Sequence, residues 1–244
     1  MQYQEITPHA SLAPYIHTYW ELTGESIDNQ WERNFPDGCA GLVINLGDTC
    51  LTDNGKVKMD FGKTYLVGGM TTFKDSFIDE NTHLFGVCLK PGVVPNFYDY
   101  APQKDMVDQS IQLEKSLSFD LDKFNGNQLN YLNHFFTSRF QKTNGSITSV
   151  IQDIHQAKGQ VLISEIANKN FTTVRQLERR FNAHLGMSPK EYARIIRFQN
   201  AMSKIKESTQ DVSLSTIAFA CGYYDHAHLT NDFKRNTGLL PSQF

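Results

Sequence analysis

The sequence predicts an α+β protein of two domains. Residues 1–143 read as a small antiparallel β-sandwich or barrel with trailing helices, and residues 146–244 as an all-α unit. Three observations predict this. Over roughly the first hundred residues the apolar runs are short and punctuated by glycine, a strand-and-turn pattern. From about Ser116 the apolar residues recur at helical spacing instead. The charge also divides: residues 1–150 carry 11 Lys/Arg against 18 Asp/Glu, and residues 151–244 carry 12 against 8. The overall charge of −3 thus hides an acidic front and a basic back, which implies two domains with different partners.

In the front domain, AGLVINLG (Ala40–Gly47) is an apolar run closed by glycine. In TDNGKV, Asn54-Gly55 is a hairpin signal, because both residues tolerate positive φ. TYLVGGM and HLFGVCL read as further strands, and Pro91 adds punctuation. The stretch Ser116–Lys142 is helical, with a break at Asn125-Gly126, and its Phe-rich face from Leu129 to Phe140 reads as core or as a surface between two chains. KTNGS (Lys142–Ser146) reads as the linker.

The four cysteines Cys39, Cys50, Cys88 and Cys221 show no metal-ligand spacing and read as reduced, inert thiols in a cytoplasmic protein. His9, His17 and His83 are scattered, so neither a metal site nor a cofactor is expected. The N-terminus lacks a basic-then-apolar leader, and no apolar run reaches the ~18 residues of a membrane span.

The all-α unit contains an internal repeat. Ser164-x-Ile166-Ala167 matches Ser215-x-Ile217-Ala218, and Leu177, Phe181, Gly186 and Pro189 match Leu229, Phe233, Gly238 and Pro241. Each half has the layout of a helix-turn-helix, at about 163–184 and 214–236. In each, a short helix carries the Ile-Ala pair. A second helix then opens on a capping residue, Thr173 or Asp225, and turns Leu177/Phe181 or Leu229/Phe233 inward. Between the halves, Ser188, Pro189 and Glu191 spell a capping box with proline in the first turn. They predict a long linker helix over 188–207 with Tyr192, Ile195, Ile196, Met202 and Ile205 as its apolar stripe.

Two such units on one linker helix, with G-M-S-P-K-E-Y-x(4)-R-x(3)-A-x(3)-I running through it, resemble the AraC/XylS family of bacterial transcription regulators from about Ile147 to Phe244. The resemblance implies two recognition helices entering successive major-groove segments of double-stranded DNA. By position in the motif it places Arg175, Glu178 and Arg179, and His226, Ala227, His228, Thr230 and Asn231, at the bases. The chemistry agrees: arginines suit guanine, Glu178 suits cytosine N4 and Asn231 suits adenine. Lys190, Lys234 and Arg235 would meet phosphates. The plain alternatives are a surface ion pair between Arg175 and Glu178 and a solvated Arg180. His226 and His228 point about 200° apart on a helix and cannot chelate one ion. The sequence departs from the family at Phe171, where the first turn usually has glycine. Either that turn is reshaped or Asn170 takes the left-handed position.

RNFPDGCAGLVINLG and GVCLKPGVVPNFYDY look like the small β-rich, cupin-like regulatory domain found in a subset of the family. That likeness implies a small-molecule sensor or a dimerisation module. Trp20, Trp31, Arg33, Phe35, Asp37 and Tyr65 are the candidate effector-binding residues, with ordinary core aromatics and an Asp37-Gly38 turn as the plain alternative. RNA polymerase and a second copy of the chain are the further partners such a regulator would meet. The competing function is an enzyme, either a β-barrel catalyst or a DNA-repair methyl acceptor carrying this DNA-binding domain. The second would need an activated cysteine. Operator, effector, sign of regulation and oligomeric state are not encoded in any motif.

Overall fold

The computed structural model describes residues 1–99, 102–124, 127–143, 147–208 and 212–244. The expected break at Asn125-Gly126 and most of the KTNGS linker lie outside the described residues. The front half is built on a six-stranded antiparallel sheet in the order β1-β2-β9-β4-β7-β10. These strands are β1 (Gln2–Ile6), β2 (Ile16–Thr23), β4 (Ala40–Asn45), β7 (Thr64–Val67), β9 (His83–Leu89) and β10 (Ser110–Gln112). Two ribbons complete it: β3 (Asn29–Asn34) pairs with β8 (Lys74–Asp79), and β5 (Cys50–Thr52) pairs with β6 (Val57–Met59). The Asn54-Gly55 signal lies in the β5–β6 turn, where Asp53, Asn54 and Gly55 all have positive φ.

The period of two explains why β4 is apolar up to its last residue, Asn45. Leu42 and Ile44 face one core and Val43 faces another, and β7 divides Leu66 from Tyr65 in the same way. A central strand covered on both sides has no polar face to show. The first core is capped by Phe119, by Phe124 of α2 (Leu121–Phe124), and by Leu132, Phe135 and Phe136 of α3 (Gln128–Arg139). The Phe-rich face is therefore core, with Leu129 and Phe140 only partly exposed at its rim. A single-turn helix, α1 (Gln103–Met106), precedes β10.

The back half is helical: α4 (Thr148–Gln156), α5 (Ile163–Lys169), α6 (Val174–Leu185), α7 (Pro189–Glu207), α8 (Leu214–Ala220) and α9 (His226–Thr237). Its caps follow the sequence signals. Thr173 Oγ1 accepts from the Gln176 amide, and Asp225 Oδ1 accepts from the His228 amide at 2.7 Å. Ser188 and Glu191 form the reciprocal capping box, and such caps are worth about 1 kcal/mol each. Two cores result. Ile154, Ile166, Leu177, Phe181, Tyr192 and Ile195 hold the first unit, and Ala201, Ile217, Cys221, Tyr223 and Leu229 hold the second. Along α7, Phe198 packs edge-on against Phe233.

The first turn corrects one expectation. Asn170 keeps φ −97° and Phe171 itself takes φ 50°. The turn is not reshaped either. Thr172 N–H donates to the Ala167 carbonyl as Tyr223 N–H donates to that of Ala218, both at 3.0 Å. Asn170 is engaged elsewhere, since its side chain bonds the Ile166 carbonyl, Asp153 and Ser149.

Candidate nucleic-acid interface

Each of the two repeat-related helices has one face sunk in the protein and one face open. On α6, Leu177, Phe181, His184 and Leu185 are buried. Arg175, Glu178, Arg179 and Asn182 are exposed. Among the described residues, the Arg175 and Arg179 guanidinium groups make no hydrogen bond or ion pair, so the surface pair between Arg175 and Glu178 is not formed. Arg180 is half-buried at the flank. On α9, Leu229, Asp232, Phe233, Asn236 and Thr237 are buried, while His226, Ala227, His228, Asn231 and Lys234 are exposed and Thr230 is half-buried. Thr230 Oγ1 donates back to the His226 carbonyl at 2.8 Å. The His228 ring stands edge-on over Tyr223 at 5.2 Å, which limits its rotation. Lys190 and Arg235 are exposed at helix ends.

The buried face of α9 holds a polar network that periodicity could not reveal. Tyr223 donates to Asp232 Oδ2 at 2.8 Å, Asn236 Nδ2 donates to the Asp232 carbonyl, and Arg194 of α7 stands 3.7 Å from Asp232 Oδ1. Asp232 thereby ties α9 to the linker helix. The only sequence hint is a carboxylate on the same helical face as Phe233 and Leu229. Phe171 and Tyr224, 99% and 85% exposed, are large aromatic groups beside α6 and α9 that the hydrogen-bonding residue types alone did not indicate.

The candidate effector residues separate. Trp20 and Asp37 line a cavity of about 230 Å³ inside the β domain, with Leu42, Val43, Met59, Ile78, Val87, Asn34 and Ser110. A buried ion pair, Lys74 Nζ to Asp53 Oδ2 at 2.8 Å, sits on its wall. The other four do not line it. Tyr65 is core, its hydroxyl taking the Asp60 amide and giving to the Lys58 carbonyl. Trp31 packs edge-on against Phe77 at the surface. Arg33 grips Asp75 through two bonds, and Phe35 packs on Phe244 of the helical half. Arg33 and Phe35 thus serve the contact between domains.

Cys39 and Cys88 are both half-buried and open onto the cavity. The hydrogen bond to Cys88 and burial hold the Cys39 thiol well above its ordinary pKa. Asp37 sits in a recess, open to the cavity but ringed by protein, and that desolvation raises its carboxyl above the usual range. Cys221 is buried, with Asn200 Nδ2 at 3.3 Å, and burial raises its thiol too. Both raised thiols are held protonated and weakly nucleophilic.

Known proteins align with this division. Residues 166–244 match a family described as a helix-turn-helix domain, and residues 4–112 match one described as a domain of unknown function. The HTH-type transcriptional activator RhaS of Pectobacterium carotovorum is 33% identical over 76 residues, 31% of this chain and 26% of its own. An uncharacterised HTH-type transcriptional regulator of Haemophilus influenzae is 32% identical over 97 residues, 40% of this chain and 32% of its own. The matched segments span about a quarter to a third of the length of these relatives. ToxT of Vibrio cholerae, solved with an unsaturated fatty acid bound, shares the fold across both halves, with a TM-score of 0.52, 11% identity and 92% of each chain covered. No described helix is long and apolar enough to cross a membrane. The helical half of this chain thus matches the helix-turn-helix domain of these regulators, and the whole chain shares with ToxT the fold of an antiparallel β domain joined to a helical half.

Proposed function

We propose that the chain is a sequence-specific transcription regulator whose α6 and α9 enter successive major-groove segments of double-stranded DNA, while the β domain senses a small molecule or brings two copies together. One observation carries the reading: two repeat-related helices, rigidly joined through α7, present open polar faces opposite buried Leu/Phe faces. Arg175, Glu178 and Arg179 read from α6. His226, Ala227, His228, Thr230 and Asn231 read from α9, and Lys234 meets phosphate. Donors and acceptors of these types discriminate base pairs in the major groove, and helix-turn-helix readers of one duplex face stand about 34 Å apart, one helical turn.

The domains divide near 143–146. The cavity around Trp20 and Asp37 suits a small, mostly apolar effector with a polar group, since aliphatic side chains and Trp20 make up much of its wall while Glu32, Asn34, Asp37, Thr52, Ser76, Ser110 and the Lys74–Asp53 pair supply polar atoms. RNA polymerase and a second copy of the chain are the protein partners of this reading. We read the chain as non-catalytic, because the relatives above are regulators and neither a β-barrel catalyst nor a methyl acceptor finds support among them. A cytoplasmic location follows from binding DNA.

Selection of bound duplexes from a random pool by the full-length protein tests the reading. Enrichment of two short motifs one helical turn apart is the expected result. Recovery of unenriched DNA at moderate salt would refute it.

A further inference from the structure

On the wall of the effector cavity three side chains form a cluster with a chemistry of its own. Asp37, Cys39 and Cys88 bring a carboxylate oxygen and two sulfurs within 4.8 Å of one another. The sequence separates the thiols widely, and the sheet register reunites them. Gly41 is the direct partner of Cys88 across β4 and β9, so Cys39, two residues earlier, lies diagonally opposite on the same face. Diagonal neighbours stand about 7–8 Å apart at Cα, beyond the usual 4.4–6.8 Å of a disulfide. A bridging ion asks for less. Two sulfurs at about 2.3 Å from a tetrahedral zinc stand about 3.8 Å apart, which the side chains reach by rotation.

The surroundings suit an ion as well. Cys39 N–H donates to Asp37 Oδ1 at 2.8 Å and fixes the carboxylate beside the thiol, as hydrogen bonds commonly orient metal ligands. Gly38 between them has φ 81°, and a Cβ there would lie 2.7 Å from the Tyr192 ring. Only glycine keeps this loop against α7. A second cavity, between the β domain and α4, also opens on Asp37, Cys39 and Cys88 and brings His17 and His155 to its wall. It gives an ion a way in and leaves room for a water as a fourth ligand.

We propose that Cys39, Cys88 and Asp37 form a binding site for one thiophilic divalent transition-metal ion of the zinc class. Binding forms two metal–sulfur bonds and one metal–oxygen bond, and each thiol gives its proton to bulk water, so no oxidant or reductant is needed. The other two thiols are not part of it: Cys50 and Cys221 lie in separate cores.

Cobalt(II) titration of the reduced, metal-free full-length protein tests the site. One equivalent should produce thiolate-to-cobalt charge-transfer absorption with tetrahedral d–d bands, and zinc should displace it. Cys39→Ser and Cys88→Ser should each weaken binding roughly tenfold or more and lower the charge-transfer intensity, while Cys50→Ser and Cys221→Ser keep the parent spectrum. Zinc should raise the melting temperature of the parent but not of the folded Cys39→Ser/Cys88→Ser variant. A folded parent without charge-transfer absorption at one equivalent, or a double variant with the parent spectrum, would overturn the proposal. Arg179→Ala should bind cobalt as the parent does, so a failed metal site and a failed DNA reading give different results.

Discussion

Replacing Phe171 with glycine should stabilise the protein. Phe171 sits at φ 50° in the turn between α5 and α6, and 99% of its surface is exposed. A residue with a Cβ pays roughly 1–2 kcal/mol in the left-handed region. The side chain recovers none of this through packing. Glycine removes the strain but adds about 0.5–1 kcal/mol of chain freedom to the unfolded state, which leaves a net gain of roughly 0.5–1 kcal/mol. At this chain length, 1 kcal/mol moves the melting temperature by about 2–4 °C, so a rise of about 1–4 °C is expected.

Far-UV circular dichroism is the suitable probe, because Trp20 and Trp31 both lie in the β domain and report poorly on the helices. Phe171→Ala is the control. It deletes the same exposed ring but keeps a Cβ at positive φ, so its stability should stay within about 0.5 kcal/mol of the parent. Phe171→Asn should fall between the two, since asparagine tolerates this region. A glycine variant no more stable than the alanine variant would refute the reasoning. A glycine variant that is more stable yet binds DNA less tightly would show that the strain is retained for contact made by the ring.

Arg179→Ala should cost about 1–3 kcal/mol of binding and relax specificity at one base pair, whereas Lys234→Ala should weaken all sequences alike and lower the salt slope by about one; affinities across several salt concentrations and a panel of single-base operator variants separate the two. A fragment from Ile147 onward should fold and bind DNA, because its two cores are made of its own residues; a soluble, helical fragment without DNA affinity would contradict the division of labour. Asp153 accepts from Lys169 and Asn170, and these bonds hold its carboxyl below the ordinary range. Its contribution is complete above about pH 4 and is lost as pH falls through the lowered value, so the stability difference between parent and Asp153→Asn should shrink in acid and stay constant from pH 5 to 8. Arg33→Lys should loosen the seat of α9, because an ammonium cannot hold Asp75 through two bonds, lie over Phe73 and reach the Thr237 carbonyl together; faster limited proteolysis around α9, with β-domain strands protected as before, is the expected sign.

The helical half was more legible than the β half for a physical reason. Leu177, Phe181, Leu229 and Phe233 recur at a period set by one helix, and Thr173, Ser188 and Asp225 cap within three residues of their partners, so the signal is local. Strand pairing is not local. β4 and β9 were visible as apolar runs, but β1, β3 and β8 carry few buried residues and mixed polarity, and nothing in their composition announces them. The same limit hid the meeting of Cys39 with Cys88, which depends on register. It also hid the roles of Arg33 and Phe35, whose partners lie some two hundred residues away in the chain.

The duplicated unit meets the β domain at duplicated points. Gly186 and Gly238 are repeat-related, and they close α6 and α9 in the left-handed conformation. A Cβ at Gly186 would lie 2.3 Å from the Gln103 carbonyl of α1, and one at Gly238 would lie 2.9 Å from the Phe73 ring. Beside the first, His184 Nδ1 stands 3.3 Å from the Gly92 carbonyl. Beside the second, Thr72 Oγ1 donates to the Arg235 carbonyl and Arg33 to that of Thr237. The last carbonyls of a helix lack intrahelical donors, and at α9 the β domain supplies them. It therefore grips α6 and α9 at their C-terminal ends and leaves Arg175 and His226, near the N-terminal ends, exposed. The separation of α6 and α9 is set twice, by α7 and by the β domain. A ligand that shifts residues 72–73 relative to α1 would change that separation without touching the face proposed to meet DNA.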